Sequence, residues 1–175
     1  EDGIRDLVRS RGLGDVYKRQ ITAYSIISNN GKKLKPKIFL EEKNLIYKEQ
    51  VIRPETSSYI LSLLRSVVTE TKFTGSQIKI DGYEIGGKTG TADLIKNGNY
   101  QKNANLTSFL GVFPISEPQY AVLAIIENPK KTKKIKRLTG ATVSTPLVKK
   151  IIFRMIEIFN LPRVTNEEIL NAATK

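Results

Sequence analysis

The chain has no cysteine, no histidine and no tryptophan, and only one methionine. Without histidine there can be no Ser-His-Asp triad, no imidazole general base and no imidazole metal ligand. Without cysteine there is no thiolate nucleophile, no disulfide and no zinc ribbon, and the redox compartment is left open. Catalysis, if the chain takes part in any, must use Ser, Thr, Tyr, Lys, Asp or Glu side chains or backbone amides. Long apolar runs are also missing. The longest, Tyr120–Ile126, is far shorter than the roughly 20 residues needed to cross a bilayer. The first residues are charged from Glu1 onward and hold no apolar stretch of the signal-peptide kind.

What is present is a chain of 175 residues, 39% hydrophobic and 26% charged, the composition of one folded domain or a large piece of one. Lys and Arg number 29 against 17 Asp and Glu, a formal charge of +12, which favours acidic partners. The densest excess is Lys130–Arg137, with six cations in eight positions. Such a run can grip nucleic acid, an anionic membrane or an acidic wall polymer, or simply be a solvated loop between strands, and the loop is the preferred reading. A nucleic-acid module would interleave aromatics with the cations, and none lies between Lys130 and Arg137.

Residues 1–20 mix five cations with four anions, show no sustained period, and are expected to be an unstructured or non-native lead-in. Ile21–Ser28 reads as a short helix stopped at Asn29-Asn30-Gly31, where a glycine accepts positive φ. Lys35–Leu40 reads as a short strand, at an edge because of Pro36. After Pro54, Ile60, Leu63, Leu64 and Val67 recur with the spacing of one amphipathic helical face. Gly86–Asp93, Leu106–Phe113 and Gln119–Glu127 read as strands. Only Pro114–Pro118 separates the last two, too short for a crossover helix, so these strands should be antiparallel. Thr139–Val143 is a candidate short strand. A final long helix opens with Thr145 as N-cap and Pro146 in its first turn. Leu147, Val148, Ile151, Ile152, Met155, Ile156 and Phe159 mark its buried face. Thr165–Glu168 is a capping box for a small terminal helix. Helices flanking an antiparallel sheet make an α+β fold.

Chemistry concentrates in Gly86-Gly87-Lys88-Thr89-Gly90-Thr91-Ala92. A strand carrying Lys88, Thr89 and Thr91 around Gly90 offers an ammonium, two hydroxyls and an approachable backbone. That set suits an anionic ligand with a carbonyl that develops negative charge; a glycine-rich bulge without function is the plain alternative. Gly82–Thr89 also matches G-x-x-x-x-G-K-[ST], the phosphate loop of nucleotide hydrolases, and Ala121–Glu127 could pass for its acid-terminated strand. That loop must open a helix and sit among parallel strands. Neither context is expected here.

Lys88-Thr89-Gly90 also matches the third motif of the serine acyl-transferases that recognise penicillin, whose set is S-x-x-K, S-x-N and K-T-G. The wider series resembles the class B penicillin-binding proteins, the cell-division type in particular. Ala23-Tyr24-Ser25 is followed by Asn30-Gly31 and Pro36. Gly82-Tyr83 precedes Gly87–Ala92. Then come Thr107–Pro114, Pro118–Val122, Gly140-Ala141-Thr142 and Pro146. These run in family order from about Ile21 to Phe159.

The resemblance implies a peptidoglycan D,D-transpeptidase fragment, with stem peptides and β-lactams as ligands and no cofactor or metal. It implies that Lys88 helps place the substrate carboxylate and supports the S-x-N hydroxyl. Thr89 and Thr91 would hydrogen-bond that carboxylate around Gly90, and the Thr91 backbone N–H would be one of two oxyanion donors. In this reading residues 21–162 are the C-terminal portion of a transpeptidase domain and 163–175 a tail helix. The parent protein would be anchored in the inner membrane and work on its periplasmic side with cell-division or elongation machinery, not with nucleic acid. Ser76–Lys79 and Ser28–Asn30 fit the other two motifs as strings. They come in the wrong order, and the first is broken by Gly75 and Gly82, so both are read as coincidences. The nucleophile and its base are expected outside this chain. A phosphate-loop nucleotide hydrolase using Gly82–Thr89 and a basic nucleic-acid-binding module are the alternatives.

Overall fold

The computed structural model describes residues 13–34, 36, 47–70, 75–96 and 99–163. The chain divides into two compact units, one ending at Tyr59 and the other beginning at Ile60.

The first unit contains helix α1 (Leu13–Ser28), strands β1 (Lys32–Leu34) and β2 (Tyr47–Gln50), and the start of helix α2 (Pro54–Thr69). Helix α1 corrects the expected boundary. It begins at Leu13 rather than Ile21, so residues 13–20 are helical rather than an unstructured lead-in; residues 1–12 lie outside the described residues. Tyr17, Ile21 and Tyr24 are half-buried at i, i+4 and i+7, a helical face that continues straight through the charged stretch. Lys18, Arg19 and Gln20 favour a helix once that face is anchored. The stop at Gly31 is as expected: its φ is +78° and its amide donates to Ile26 O at 2.9 Å. A Cβ there would lie 2.0 Å from Ile52 O, so both conformation and space require glycine. Strands β1 and β2 pair antiparallel. Of the expected strand at 35–40 only Pro36 is described, and it lies outside β1, which runs from Lys32 to Leu34.

The second unit continues α2 and adds a 3₁₀ turn (Ser76–Ile78), strands β3 (Gly86–Lys96), β4 (Asn99–Phe113) and β5 (Tyr120–Glu127), a π-helical turn (Gly140–Ser144) and helix α3 (Thr145–Phe159). The sheet order is β3-β4-β5 and both pairings are antiparallel, the second as the short Pro114–Pro118 connection predicted. Strand β4 is central. Its Phe109, Leu110, Val112 and Phe113 are all buried, which is why it reads as a nearly continuous apolar run. On one face, α3 packs so that a Cβ at Gly111 would touch Ile152 at 3.5 Å and Val148 at 3.6 Å. On the other, Arg65 of α2 donates to Ile85 O at 2.9 Å. A Cβ on Gly86 would come within 3.1 Å of the Arg65 amide. Helices thus flank an antiparallel sheet, the expected α+β arrangement. The core joins Val68, Ile78, Ile85, Phe109, Phe113, Ala124, Val148, Ile152 and Ile156. Each Val, Ile or Phe side chain among them contributes about 1.5–3 kcal/mol by leaving water.

Burial lowers the pKa of Arg65, and the nearby Glu84 carboxylate opposes that shift. Glu84 is itself buried and accepts the Ser116 amide at 3.3 Å, which ties the start of β3 to the β4–β5 turn.

Four local expectations are corrected. In α2 the buried apolar residues are Leu61, Leu64 and Val68, while Leu63 is 49% exposed. Six apolar residues between Ile60 and Val68 define two overlapping stripes, and packing selects the second. Thr139–Val143 is not a strand but the entry to the π-helical turn. Thr139 and Thr142 form a capping box in which each side chain meets the other residue's amide, so local hydrogen bonds replace a strand ladder. Thr145 is not the N-cap of α3. Ser144 takes that position without a side-chain bond to the helix amides, and Thr145 Oγ1 donates to Gly140 O at 3.0 Å. Pro146 does lie in the first turn. On α3, Val148, Ile152 and Ile156 are buried, whereas Leu147 and Phe159 are exposed, Phe159 stacking on Tyr120. Thr165–Glu168 lies outside the described residues.

Candidate active site

All four residues expected at the site are consecutive on β3, an edge strand that pairs only with β4 among the described residues. The register from Gly86 to Asp93 is unbroken, with Lys88 opposite Leu110, Thr89 opposite Phe109, Gly90 opposite Ser108 and Thr91 opposite Thr107. Paired residues share a face. Lys88 and Gly90 therefore lie on the face of Leu110 and Ser108, and Thr89 and Thr91 on the face of Phe109 and Thr107. Lys88 is exposed, and its Nζ donates to Thr89 O at 2.8 Å, so the ammonium lies along its own strand.

Thr91 has the most informative surroundings. Its Oγ1 accepts the Gly140 amide N–H at 2.9 Å. A hydroxyl oxygen that accepts an amide keeps its own proton to donate elsewhere. Gly140 belongs to the π-helical turn, whose carbonyl is in turn held by Thr145. A Cβ on Gly140 would lie 2.5 Å from Ser108 O and 2.6 Å from Gly90 O, so the turn can rest on the backbones of β3 and β4 only because this residue is glycine. A Cβ on Gly90 would strike Ser108 Oγ at 2.4 Å. One turn further, Ser144 Oγ donates to Thr107 Oγ1 at 2.9 Å, and Thr107 Oγ1 donates to Ile126 O at 3.4 Å. Both Ser144 and Thr107 are buried, so this hydroxyl chain fastens the turn to the sheet behind Thr91.

Sequence reading had placed Gly140 in a motif but not in the site, and had assigned Thr145 only a capping role. Two glycines and a threonine far apart in sequence carried no signal that they would meet.

The phosphate-loop alternative fails on this geometry. Gly86–Thr89 lie within a strand antiparallel to β4, so no helix follows the lysine and no N-terminal amides are gathered for a phosphate. Ser76 and Lys79 do not form a one-turn pair on an α-helix either: Ser76 opens a 3₁₀ turn, and Lys79 leaves it with ψ 127°. Ser28 and Asn30 lie at the end of α1 in the first unit. No cluster of acidic residues that could hold a metal occurs among the described residues.

The chain is similar to known proteins over most of its length. It is 37% identical over 153 residues to stage V sporulation protein D of Bacillus subtilis (strain 168), a match covering 81% of this chain and 23% of the relative. It is 32% identical over 175 residues to a peptidoglycan D,D-transpeptidase FtsI homolog of Mesostigma viride, covering 87% of this chain and 28% of the relative. The chain thus spans about a quarter of the length of these relatives. Its fold is like that of the transpeptidase domain of Burkholderia pseudomallei penicillin-binding protein 3, with a TM-score of 0.68 at 24% identity, covering 83% of this chain and 43% of that one. A family model described as the penicillin binding protein transpeptidase domain matches residues 18–152. That match takes in β3, its glycine-backed threonine and the turn behind it, and the chain belongs to the penicillin-binding protein transpeptidase family.

Proposed function

We propose that the parent protein is a serine-type peptidoglycan D,D-transpeptidase that also binds β-lactams, and that this chain supplies one wall of its acyl-transfer site. The observation that carries the reading is the Lys88–Thr91 segment on an open strand edge, with Thr91 Oγ1 already engaged by Gly140 N–H. So oriented, the Thr91 hydroxyl proton is available to a carboxylate, and Lys88, whose side chain leaves the opposite face of β3, adds positive charge beside it along the edge strand. Thr89 contributes a second hydroxyl, and Gly90 lets an extended peptide or a lactam approach the backbone. The Thr91 backbone N–H serves as an oxyanion donor, a contribution of about 2.7–4 kcal/mol where such donors have been removed in other enzymes.

The attacking serine and its lysine base, together with the S-x-N element, come from sequence outside residues 1–175. In the reaction the serine oxygen forms an ester with the substrate carbonyl as the C–N bond breaks, and the departing amine takes up the serine proton. Residues 21–162 act as the C-terminal portion of the transpeptidase domain. The parent works on the periplasmic side of an inner membrane, together with cell-division or elongation machinery. Within this chain no helix among the described residues is long and apolar enough to cross a membrane.

The test is acylation by a fluorescent penicillin. The parent protein should be labelled and the 175-residue chain alone should not. Labelling of the isolated chain at Ser76 would overturn the assignment of the nucleophile to other sequence. In the parent, Lys88→Ala should slow acylation by about 10- to 100-fold, the loss of one charge-assisted hydrogen bond. Because Lys88 is exposed, its Tm should change little. Equal acylation rates for the two forms would remove Lys88 from the site.

A further inference from the structure

The loop between β5 and the π-helical turn carries the densest charge in the chain, and the transpeptidase reading leaves it unused. Lys130, Lys131, Lys133, Lys134, Lys136 and Arg137 are all exposed. Among the described residues none of them is in an ion pair, the salt bridges there being Lys79–Asp81 and Arg154–Glu157. A run of exposed like charge repels itself, and a polyanion that binds it relieves that repulsion and releases small counter-ions.

The loop is nevertheless held in place. Thr132 and Ile135 close a small ring, with Thr132 N–H donating to Ile135 O at 3.1 Å and Ile135 N–H donating to Thr132 Oγ1 at 3.0 Å. At the root nearer α3, Arg137 O accepts the Thr142 hydroxyl and Leu138 O accepts the Asn105 side chain at 3.4 Å. At the other root, the Asn128 amide donates to Asn105 O at 2.7 Å. Asn105 lies opposite Asp93 on β3, two positions beyond Thr91, and Leu138 is two residues before the Gly140 amide that holds Thr91. The loop that carries the cations is therefore rooted next to the Thr91–Gly140 contact.

We infer that Lys130–Arg137 is an electrostatic landing surface for the acidic peptidoglycan strand whose stem peptides enter the Lys88–Thr91 site. The inference rests on the transpeptidase reading and names the polymeric form of its substrate. Charge complementarity carries it. Stem peptides present several carboxylates along a glycan, and the loop that carries the cations is rooted beside the Thr91–Gly140 contact. Nucleic acid fits less well, because no aromatic side chain lies within Lys130–Arg137 on which bases could stack. A membrane surface fits less well too: Ile135 is the one large apolar residue of the run, and it is half-buried, leaving no side chain to insert.

The experiment uses the 175-residue chain and soluble, un-cross-linked peptidoglycan strands freed of attached phosphate polymers, with binding measured over a salt series. The combined Lys131→Gln, Lys133→Gln, Lys134→Gln and Lys136→Gln variant should bind about tenfold or more weakly at low salt, with a flatter dependence on salt. A charge-matched control, Lys33→Gln, Lys79→Gln, Lys149→Gln and Lys150→Gln, should lose no more than about twofold, the long-range share of net charge. Equal losses in the two variants, or no loss in the first, would overturn the inference. So would tighter binding of RNA or of phosphatidylglycerol vesicles than of peptidoglycan at equal anion concentration. Penicillin labelling of the parent does not depend on the loop. Failure of strand binding with labelling intact would sink this inference alone, and failure of labelling would sink the transpeptidase reading.

Discussion

At the scale of single residues the proposed site turns on one hydroxyl and the amide behind it. Thr91 Oγ1 accepts Gly140 N–H at 2.9 Å, so its value to a ligand is a proton aimed outward. Thr91→Val in the parent should slow penicillin acylation by about tenfold, the order of one hydrogen bond to a charged group. Thr91→Ser should restore most of the rate and keep Tm, whereas Thr91→Val should also lower Tm, because it leaves the buried Gly140 amide without its acceptor. Gly140→Ala is expected to do more damage. Its Cβ would meet the Ser108 and Gly90 backbones inside van der Waals contact, costing about 1–3 kcal/mol of stability and moving the amide away from Thr91. A Gly140→Ala protein that kept both its Tm and its acylation rate would contradict this account. On α1, burial raises the pKa of the Tyr24 phenol above 10.0. The folded state therefore holds this proton more tightly than the unfolded chain. The stability that follows is fully present below pH 10.0 and is lost as pH rises through the higher folded value. Tyr24→Phe should remove a phase above the ordinary tyrosine range from the tyrosinate titration and reduce alkaline unfolding.

At the scale of elements, packing chose between patterns that periodicity could not separate. Leu63 and Leu64 are adjacent and chemically identical, yet Leu64 is buried and Leu63 is half exposed. Leu64→Ala should cost about 2–5 kcal/mol as a cavity-forming core truncation, whereas Leu63→Ala should stay within about 0.5 kcal/mol, both read from thermal unfolding. Similar losses for the two would mean that α2 presents a different face. The strands of the hairpin were legible because Phe109, Leu110, Val112 and Phe113 are apolar on both faces, and because Pro114–Pro118 can only turn the chain back. The π-helical turn was not. Thr139–Val143 has the β-branched composition of a strand, and what diverts it is the pairing of two hydroxyls with two amides. Helix α1 was hidden in the same way, its apolar face at Tyr17, Ile21 and Tyr24 masked by Lys18 and Arg19.

At the scale of the whole molecule the chain combines a net charge of +12 with large apolar side chains on its surface. On α3, Leu147, Phe153, Ile158 and Phe159 are exposed, Ile158 at 74%. Apolar surface gathered on one helix promotes association. The isolated chain is expected to self-associate as its concentration rises, and Phe153→Lys with Ile158→Lys should return it towards monomer in sedimentation velocity. Monomeric behaviour of the unmodified chain at high concentration would show that these side chains do not drive association. Net charge acts in the opposite sense, so added salt should strengthen the association.

By itself the sequence determined which chemistry is possible and where it sits along the chain. The absence of histidine and cysteine excluded those side chains from this chain's own contribution, and Lys88-Thr89-Gly90-Thr91 marked a candidate site because it stands in an ordered series of motifs that resembles the penicillin-binding proteins. The antiparallel hairpin followed from connection length alone. Only the tertiary structure decided that Thr91 would accept an amide from Gly140, 49 residues away, that the basic loop would root beside that contact, and that one of two leucine stripes would be the buried one. The physical reason is the same in each case. Composition and spacing report what a segment can do locally, whereas the partner of a hydroxyl, a glycine or an apolar stripe is set by which backbones can approach each other closely enough to meet it.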